Sequence, residues 1–234
     1  MFSDKALTFL KQLKRNNKRE WFQERKPQFD ELLLNPMREL VEQMDVRLAA
    51  FAPEIIGSPK RSIFRIYRDT RFSKDKTPYK THVACWFSHS RSSHGVGSET
   101  HGAGAGYYFH LEPGASLVAG GIWMPPRPSL NAIRESVAGN HGQLVKILGG
   151  ASFKRRFGTL NPEHRLIRVP RPWAKDHPAA DWLRFSSFTV SAALTDADVL
   201  GSGLAKKVEK DFSTMLPLVR WLNNALGYPA QARR

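Results

Sequence analysis

The chain opens on apolar residues at helical spacing. Phe2 precedes Ser3 and reads as the residue before an N-cap, with Leu7 as its partner one turn in; Ala6, Leu10 and Leu13 continue that face. Asn16-Asn17 closes this helix, and Asn17 with Glu20 three residues on makes a capping-box pattern for a second. Pro27 is expected to interrupt or kink that helix, and Asn35-Pro36 to start another with proline at its first position. Met37, Leu40, Val41, Met44, Leu48 and Phe51 then form one stripe, which predicts an amphipathic helix packed on a sheet.

From residue 61 the period shortens towards two. Strands are expected at Ser62–Arg68, His82–Ser88, Tyr107–Leu111 and Ser116–Trp123, with connections short enough to predict antiparallel hairpins. Ser88–Gly106, rich in Ser, Gly and His, reads as a mobile loop. Beyond Pro125-Pro126 the pattern predicts helices at Ser129–Ala138 and Gly142–Leu148, strands at Arg165–Val169 and Phe185–Ala193, and a capped turn at Thr195-Asp196. A last helix over Gly203–Leu226 turns Val208, Phe212, Met215, Leu218, Val219 and Leu222 inward and should be kinked by Pro217. No repeat or low-complexity linker divides the chain. The expectation is one α+β domain: a helical region (1–60), an antiparallel strand block (61–124) and a mixed region (125–234). Its mostly antiparallel sheet carries the N- and C-terminal helices on one face.

Composition narrows the partners. A chain of 234 residues buries roughly 70% of its unfolded surface and needs no covalent staple. Its single cysteine, Cys85, excludes an internal disulfide and any multi-cysteine zinc site, and its apolar surroundings (Val83–Phe87) predict a buried, inert thiol. No apolar stretch approaches the roughly 20 residues of a membrane span and no targeting segment is visible, so a cytoplasmic protein without membrane contact is expected. The 36 Lys and Arg against 21 Asp and Glu give a formal charge of +15. Such a balance attracts nucleic acid, nucleotides or acidic partners, or merely aids solubility.

The charge is densest at Arg61–Lys80, RSIFRIYRDTRFSKDKTPYK, with seven basic residues against Asp69 and Asp75. A strand feeding a basic turn can converge Arg65, Arg68, Arg71, Lys74, Lys76 and Lys80 on one anion, since guanidinium forks meet phosphate or carboxylate bidentately. Three blocks then carry a resemblance: Asn17–Phe22 (NKREWF), Arg65–Lys80 (RIYRDTRFSKDKTPYK) and Gly106–Gly121 (GYYFHLEPGASLVAGG). With Leu166–Phe188, which holds Lys175-Asp176-His177-Pro178, they resemble the signature segments of the domain of unknown function 2461 family over most of the chain. The resemblance implies a type of protein and no activity, cofactor or mechanism.

Alternation along the strands predicts two faces. Phe64, Ile66, Val83, Cys85, Phe87, Tyr107, Phe109 and Leu111 should lie under the helices, leaving Arg61, Arg65, Tyr67, His82, Trp86, Tyr108 and His110 on the open face. An open face of Arg, His and aromatics suits ligand binding, unless later segments cover it. Five histidines (82, 89, 94, 101 and 110) fall between residues 82 and 110, but their spacings match no compact ligand pattern, so no metal site and no cofactor are expected. Gly102, Gly104 and Gly106 precede a strand instead of opening a helix, which fits neither phosphate-loop geometry. Asp69, Asp75 and His82 are the acid–base candidates, against the simpler expectation that the aspartates pair with Arg or cap turns. A second basic stretch, Lys154–Lys175, has seven Lys and Arg against Glu163 alone.

Three readings follow. The first is binding of a phosphate-bearing or other anionic ligand, nucleic acid or a phosphorylated small molecule, by the Arg61–Lys80 segment with Tyr67, His82, Trp86, Tyr108 and His110 alongside. The second is an enzyme working on such a ligand through Asp69, Asp75 or His82. In the third, the segment is a structural ion-pair network.

Overall fold

A computed structural model describes residues 1–71, 73–92 and 104–231. Much of the expected Ser88–Gly106 loop therefore lies outside the described residues. Helix α1 (Asp4–Arg15) starts at Ser3, whose backbone has the extended conformation of an N-cap although its hydroxyl caps nothing. The entry is held by packing: Phe2 and Leu7 are buried, and the Phe2 ring stacks on Phe109 at 6.2 Å. The second helix, α2 (Arg19–Glu24), begins after Lys18, not after an Asn17 cap. The Asn17 amide is used elsewhere: it donates to the Tyr79 carbonyl (2.9 Å) and accepts from the Tyr79 N–H (3.0 Å).

After a break at Arg25, the short α3 (Lys26–Phe29) runs through a π-helical turn, Asp30–Leu34, into α4 (Asn35–Phe51). Pro36 was expected to begin a fresh helix; instead the backbone stays helical through Leu34 and Asn35. Proline has no N–H to give and its ring crowds the carbonyl one turn back, and a widened turn just before it relieves both problems. The expected stripe is inward: Met37, Leu40, Val41, Met44 and Leu48 are buried.

Five antiparallel strands form the sheet in chain order: β1 (Ile55–Ile56), β2 (Val83–His89), β3 (Gly106–Leu111), β4 (Leu117–Ile122) and β5 (Phe188–Ala193). Val83, Cys85 and Phe87 lie opposite Leu111, Phe109 and Tyr107, and all six are buried. Over them pack α4 and the long α10 (Leu204–Ala225), whose Phe212 ring stacks on Tyr107 at 4.4 Å. Gly120 of β4 makes this approach possible, since a Cβ there would stand 2.7 Å from the Met215 sulfur. All six residues assigned to the inward face of α10 are buried, and Pro217 sits within it. The remaining helices are α5 (Pro59–Ser62), α6 (Arg127–Leu148), α7 (Ala151–Phe157), α8 (Ala180–Leu183) and α9 (Asp196–Leu200). The break at Asn140 in α6 separates the two helices expected there, and Thr195 with Asp198 forms a complete capping box on α9. No helix among the described residues is long and apolar enough to cross a membrane.

Two expected strands are corrected. Arg165–Val169 makes only a single bridge, Arg165 to Phe185. The expected strand Ser62–Arg68 starts in the last residue of α5 and is otherwise an irregular ribbon with two isolated bridges, Ile63 to Cys85 and Tyr67 to Tyr79, between which the register slips by two residues. Without a continuous ladder, alternation no longer dictates which way a side chain points. Ile66 is buried as expected, but Phe64 turns to the opposite face, where its ring meets Tyr108 edge-on at 6.0 Å.

Candidate functional site

The open sheet face is neither bare nor fully covered. The Phe64–Lys80 side of the ribbon walls one edge, and Trp123, Asn161 and Glu163 wall the other. Between them lies a cavity of about 430 Å³ that Lys80, His82, Trp86, Tyr108 and Ser191 also line. Its floor is made of small residues, Ala84 of β2 and Ala119 and Gly121 of β4. Gly121 is required there on two counts: its φ is +119°, and a Cβ would come within 2.0 Å of the Phe188 carbonyl. Asn161 is fixed by its own backbone N–H, which donates to the Thr189 carbonyl at 2.8 Å.

Register explains which polar groups meet at one end of this face. Tyr108, His110 and Glu112 alternate along β3 and its continuation, while Trp86, Ala84 and His82 alternate along β2 and just before it. Ala84 lies directly opposite His110, and its methyl group leaves room for the imidazole to lean towards His82, ring centres 4.2 Å apart. Glu112 accepts from His110 Nε2 at 3.2 Å, so the other nitrogen, Nδ1, accepts from the Tyr108 hydroxyl at 2.9 Å. Thr81 Oγ1 donates to the second Glu112 oxygen at 3.4 Å. Burial, then the neighbouring His110, pushes the His82 pKa down to about 4, so its ring is neutral at neutral pH. Burial likewise lowers His110, against the pull of Glu112, and raises Tyr108 to about 12. One donor atom from each of His82, His110 and Glu112 lies within 4.8 Å of the other two.

Lys80 stands half-buried with its ammonium 5.4 Å from the centre of the Phe64 ring. Burial, then the charge of Arg65, lowers its pKa. It makes no ion pair among the described residues.

The six basic residues expected to converge on one anion do not line one cavity. Lys80 belongs to the sheet-face cavity. Arg65 instead lines an apolar cleft of about 270 Å³ with Phe22, Phe29, Met37 and Ile63. Arg68 and Lys76 line a third, polar basin of about 600 Å³, together with Lys18, Arg19, Glu20 and Tyr67. Tyr67 therefore leaves the open face it was assigned to: it bridges the buried Tyr79 and its ring packs there at 5.4 Å. Arg71 and Lys74 are exposed and line none of the three. Asp69 accepts from Arg71 and Asp75 from Arg68 and the Thr77 N–H. Arg71 holds the Asp69 carboxyl down at about 2, and the Thr77 N–H followed by Arg68 does the same for Asp75. These are exposed pairs, which contribute little to stability. Of the three acid–base candidates, His82 lines one of these three cavities, and Asp69 and Asp75 line none of them. Cys85 is wholly buried and burial raises its thiol pKa, as befits a core residue.

His82, Trp86, Tyr108 and His110 do share the open face. Alternation and charge density did not single out Glu112 beside His110, Trp123, Asn161, Glu163 and Ser191 in the cavity, or Lys18 and Arg19 in the basin. Glu112 had a signal: the alternation of Tyr108 and His110, carried one step further, reaches it. Lys18 and Arg19 lay in the quoted NKREWF block, with nothing local to say what they would face. Parts of the second basic stretch are ion-paired, Arg156 with Asp211 at 2.7 Å and Arg165 with Asp181 at 2.9 Å.

No curated protein and no solved structure matches the chain. A family model does, over residues 5–221, nearly the whole chain and including every residue of the cavity and the basin. The protein belongs to the family described as conserved hypothetical protein (DUF2461).

Proposed function

We propose that the protein binds a small anionic ligand with a flat ring in the sheet-face cavity, with Lys80 as its charge partner. The observation that carries this reading is the half-buried Lys80 ammonium, which lies on a cavity wall without an ion-pair partner among the described residues. A cation partly removed from water is costly unless a counter-charge meets it. The volume suits a small molecule, Trp86, Trp123 and Tyr108 offer ring faces, and Asn161, Thr189 and Ser191 offer hydrogen bonds at fixed positions. Glu163 also lines the cavity but is exposed, and it makes no ion pair with Lys80. A cytoplasmic setting accompanies this reading, since the lone cysteine is a reduced core thiol.

The test is calorimetric titration with inorganic phosphate, nucleoside monophosphates and aromatic carboxylates, on wild type, Lys80→Met and Trp86→Ala. Saturable binding of one class that both variants lose is the expected result. Binding that survives Lys80→Met overturns the assignment.

A second anion site is favoured by the polar basin, where Lys18, Arg19, Arg68 and Lys76 face one carboxylate, Glu20. Lys18 and Arg19 make no ion pair among the described residues, so a phosphate backbone is the partner this surface fits. Fluorescence anisotropy with single-stranded DNA, duplex DNA and RNA across a salt series tests it. Salt-steep affinity that Arg19→Ala/Lys76→Ala loses supports nucleic acid, and no binding at low salt removes it.

A further inference from the structure

We propose that His82, His110 and Glu112 form a binding site for one divalent transition-metal ion at the end of the sheet-face cavity. The reading of the cavity's ligand is not needed for this site, which stands on the protein's own donor atoms.

The geometry comes from the sheet. His82 and Glu112 each lie one residue beyond the Val83–Leu111 pair, facing each other across β2 and β3, and His110 sits two residues before Glu112 on the same face. His110 Nε2 and Glu112 Oε2 are 3.2 Å apart, close to the spacing of two donors that share an ion with bonds of about 2.0–2.2 Å. All three donors fall within 4.8 Å of one another, so a modest turn of the His82 imidazole completes the set. The side chains are half-buried, so the donors are partly screened from water while solvent can still reach them.

The surroundings fit an ion as well as the donors do. With Nε2 on the metal, His110 Nδ1 would carry the proton and donate to the Tyr108 oxygen, already 2.9 Å away. That outer contact fixes the ring and its tautomer, as the partners of metal-bound histidines do. Thr81 holds the other Glu112 oxygen. Two imidazoles and one carboxylate select zinc, iron(II) and their neighbours over magnesium or calcium, which prefer oxygen alone. Three protein ligands leave coordination positions open, and His82 itself lines the cavity. An ion there would add positive charge to the same cavity as Lys80, so an anionic oxygen could be held by both. Sequence spacing gave no hint because the ligands come from two strands and their flanks, 28 residues apart between His82 and His110.

The alternative is that the three groups are a self-contained hydrogen-bonded cluster. Untagged full-length protein, stripped with chelator and dialysed, would be titrated with Co²⁺ while its visible d–d bands are followed, then with Zn²⁺ in competition. The expected result is one Co²⁺ per chain, displaced by Zn²⁺. His82→Asn and Glu112→Gln, each checked for folding by circular dichroism, should weaken binding by more than the roughly 10–100-fold that loss of an outer partner causes. Tyr108→Phe should weaken it within that range. A folded wild type that takes up neither ion at stoichiometric concentration overturns the site in favour of the cluster. Undiminished binding by folded His82→Asn and Glu112→Gln overturns it in favour of other histidines.

Discussion

Lys80→Met separates a lysine kept for binding from one kept for packing. The ammonium stands 5.4 Å from the Phe64 ring centre, a cation–π contact worth about 0.5–1 kcal/mol where solvent reaches it. Methionine keeps an unbranched stem, and its sulfur over the ring returns about 0.3–1.5 kcal/mol, so these two changes nearly cancel. What remains is the charge. Burial and Arg65 both lower the Lys80 pKa, so the folded protein holds this proton less well than the unfolded chain, and the charge opposes folding. Lys80 is half exposed, which screens most of that opposition. A net gain of about 0.5–1 kcal/mol is expected, or about 1–4 °C in Tm for a chain of this size. The sign has a pH signature. The variant's advantage is full below the lowered folded pKa and fades as pH rises from there to the ordinary lysine value of 10.5. Urea unfolding followed by circular dichroism between pH 7 and 10.5, at low and high salt, measures it. A variant destabilised by about 1 kcal/mol or more, at every pH and salt concentration, would show that the lysine holds the wall together and would refute the reasoning.

Two further outcomes follow from groups away from the cavities. Arg220 grips Glu54 through Nε at 2.7 Å and Nη2 at 3.2 Å, and the Glu54 side chain is 1% exposed. Arg220→Met strands that carboxylate and should cost about 3–5 kcal/mol, much of it recovered in Arg220→Met/Glu54→Gln; an unchanged urea midpoint would sink this. His89 is wholly buried, accepts the Arg91 N–H on Nδ1 and faces the Pro229 carbonyl through Nε2. Burial lowers its pKa below 6.5, so below that pH the unfolded chain binds the extra proton and stability falls with acid. The difference in urea midpoint between wild type and His89→Gln should shrink from pH 7.5 to 5.5, and a constant difference would argue otherwise.

The parts of this fold that were legible in the sequence are those where one periodicity runs uninterrupted. The α4 stripe, the inward face of α10 and the alternation in β2 and β3 each follow from a single unbroken rule, and so Trp86, Tyr108 and His110 were placed on one face. Where a second force competes, the pattern misled. The Phe64–Tyr67 segment has the alternation of a strand, but alternation does not say which set faces in: Ile63 and Tyr67 bridge the buried Cys85 and Tyr79, which leaves Phe64 to meet Tyr108 on the open face. Asn17 has the spacing of a helix cap, yet a backbone partner 62 residues away claimed its amide. The cavity walls from Trp123, Asn161 and Glu163 come from irregular segments, whose course is set by tertiary packing and leaves no periodic trace.

The cavity floor carries no functional group, and that makes it the place where ligand size is set. Ala84, Ala119 and Gly121 are methyl-sized or smaller, on strands whose backbones are pinned by the helices beneath. Changing the chemistry of the walls would alter what is recognised. Changing Ala119 to valine or leucine would alter how deeply anything can sit, without replacing a donor or a charge. Gly121 is closed to such change by its backbone and Ala84 by the His110 imidazole that leans past it, which leaves Ala119 as the position through which members of a lineage could retune capacity independently of affinity.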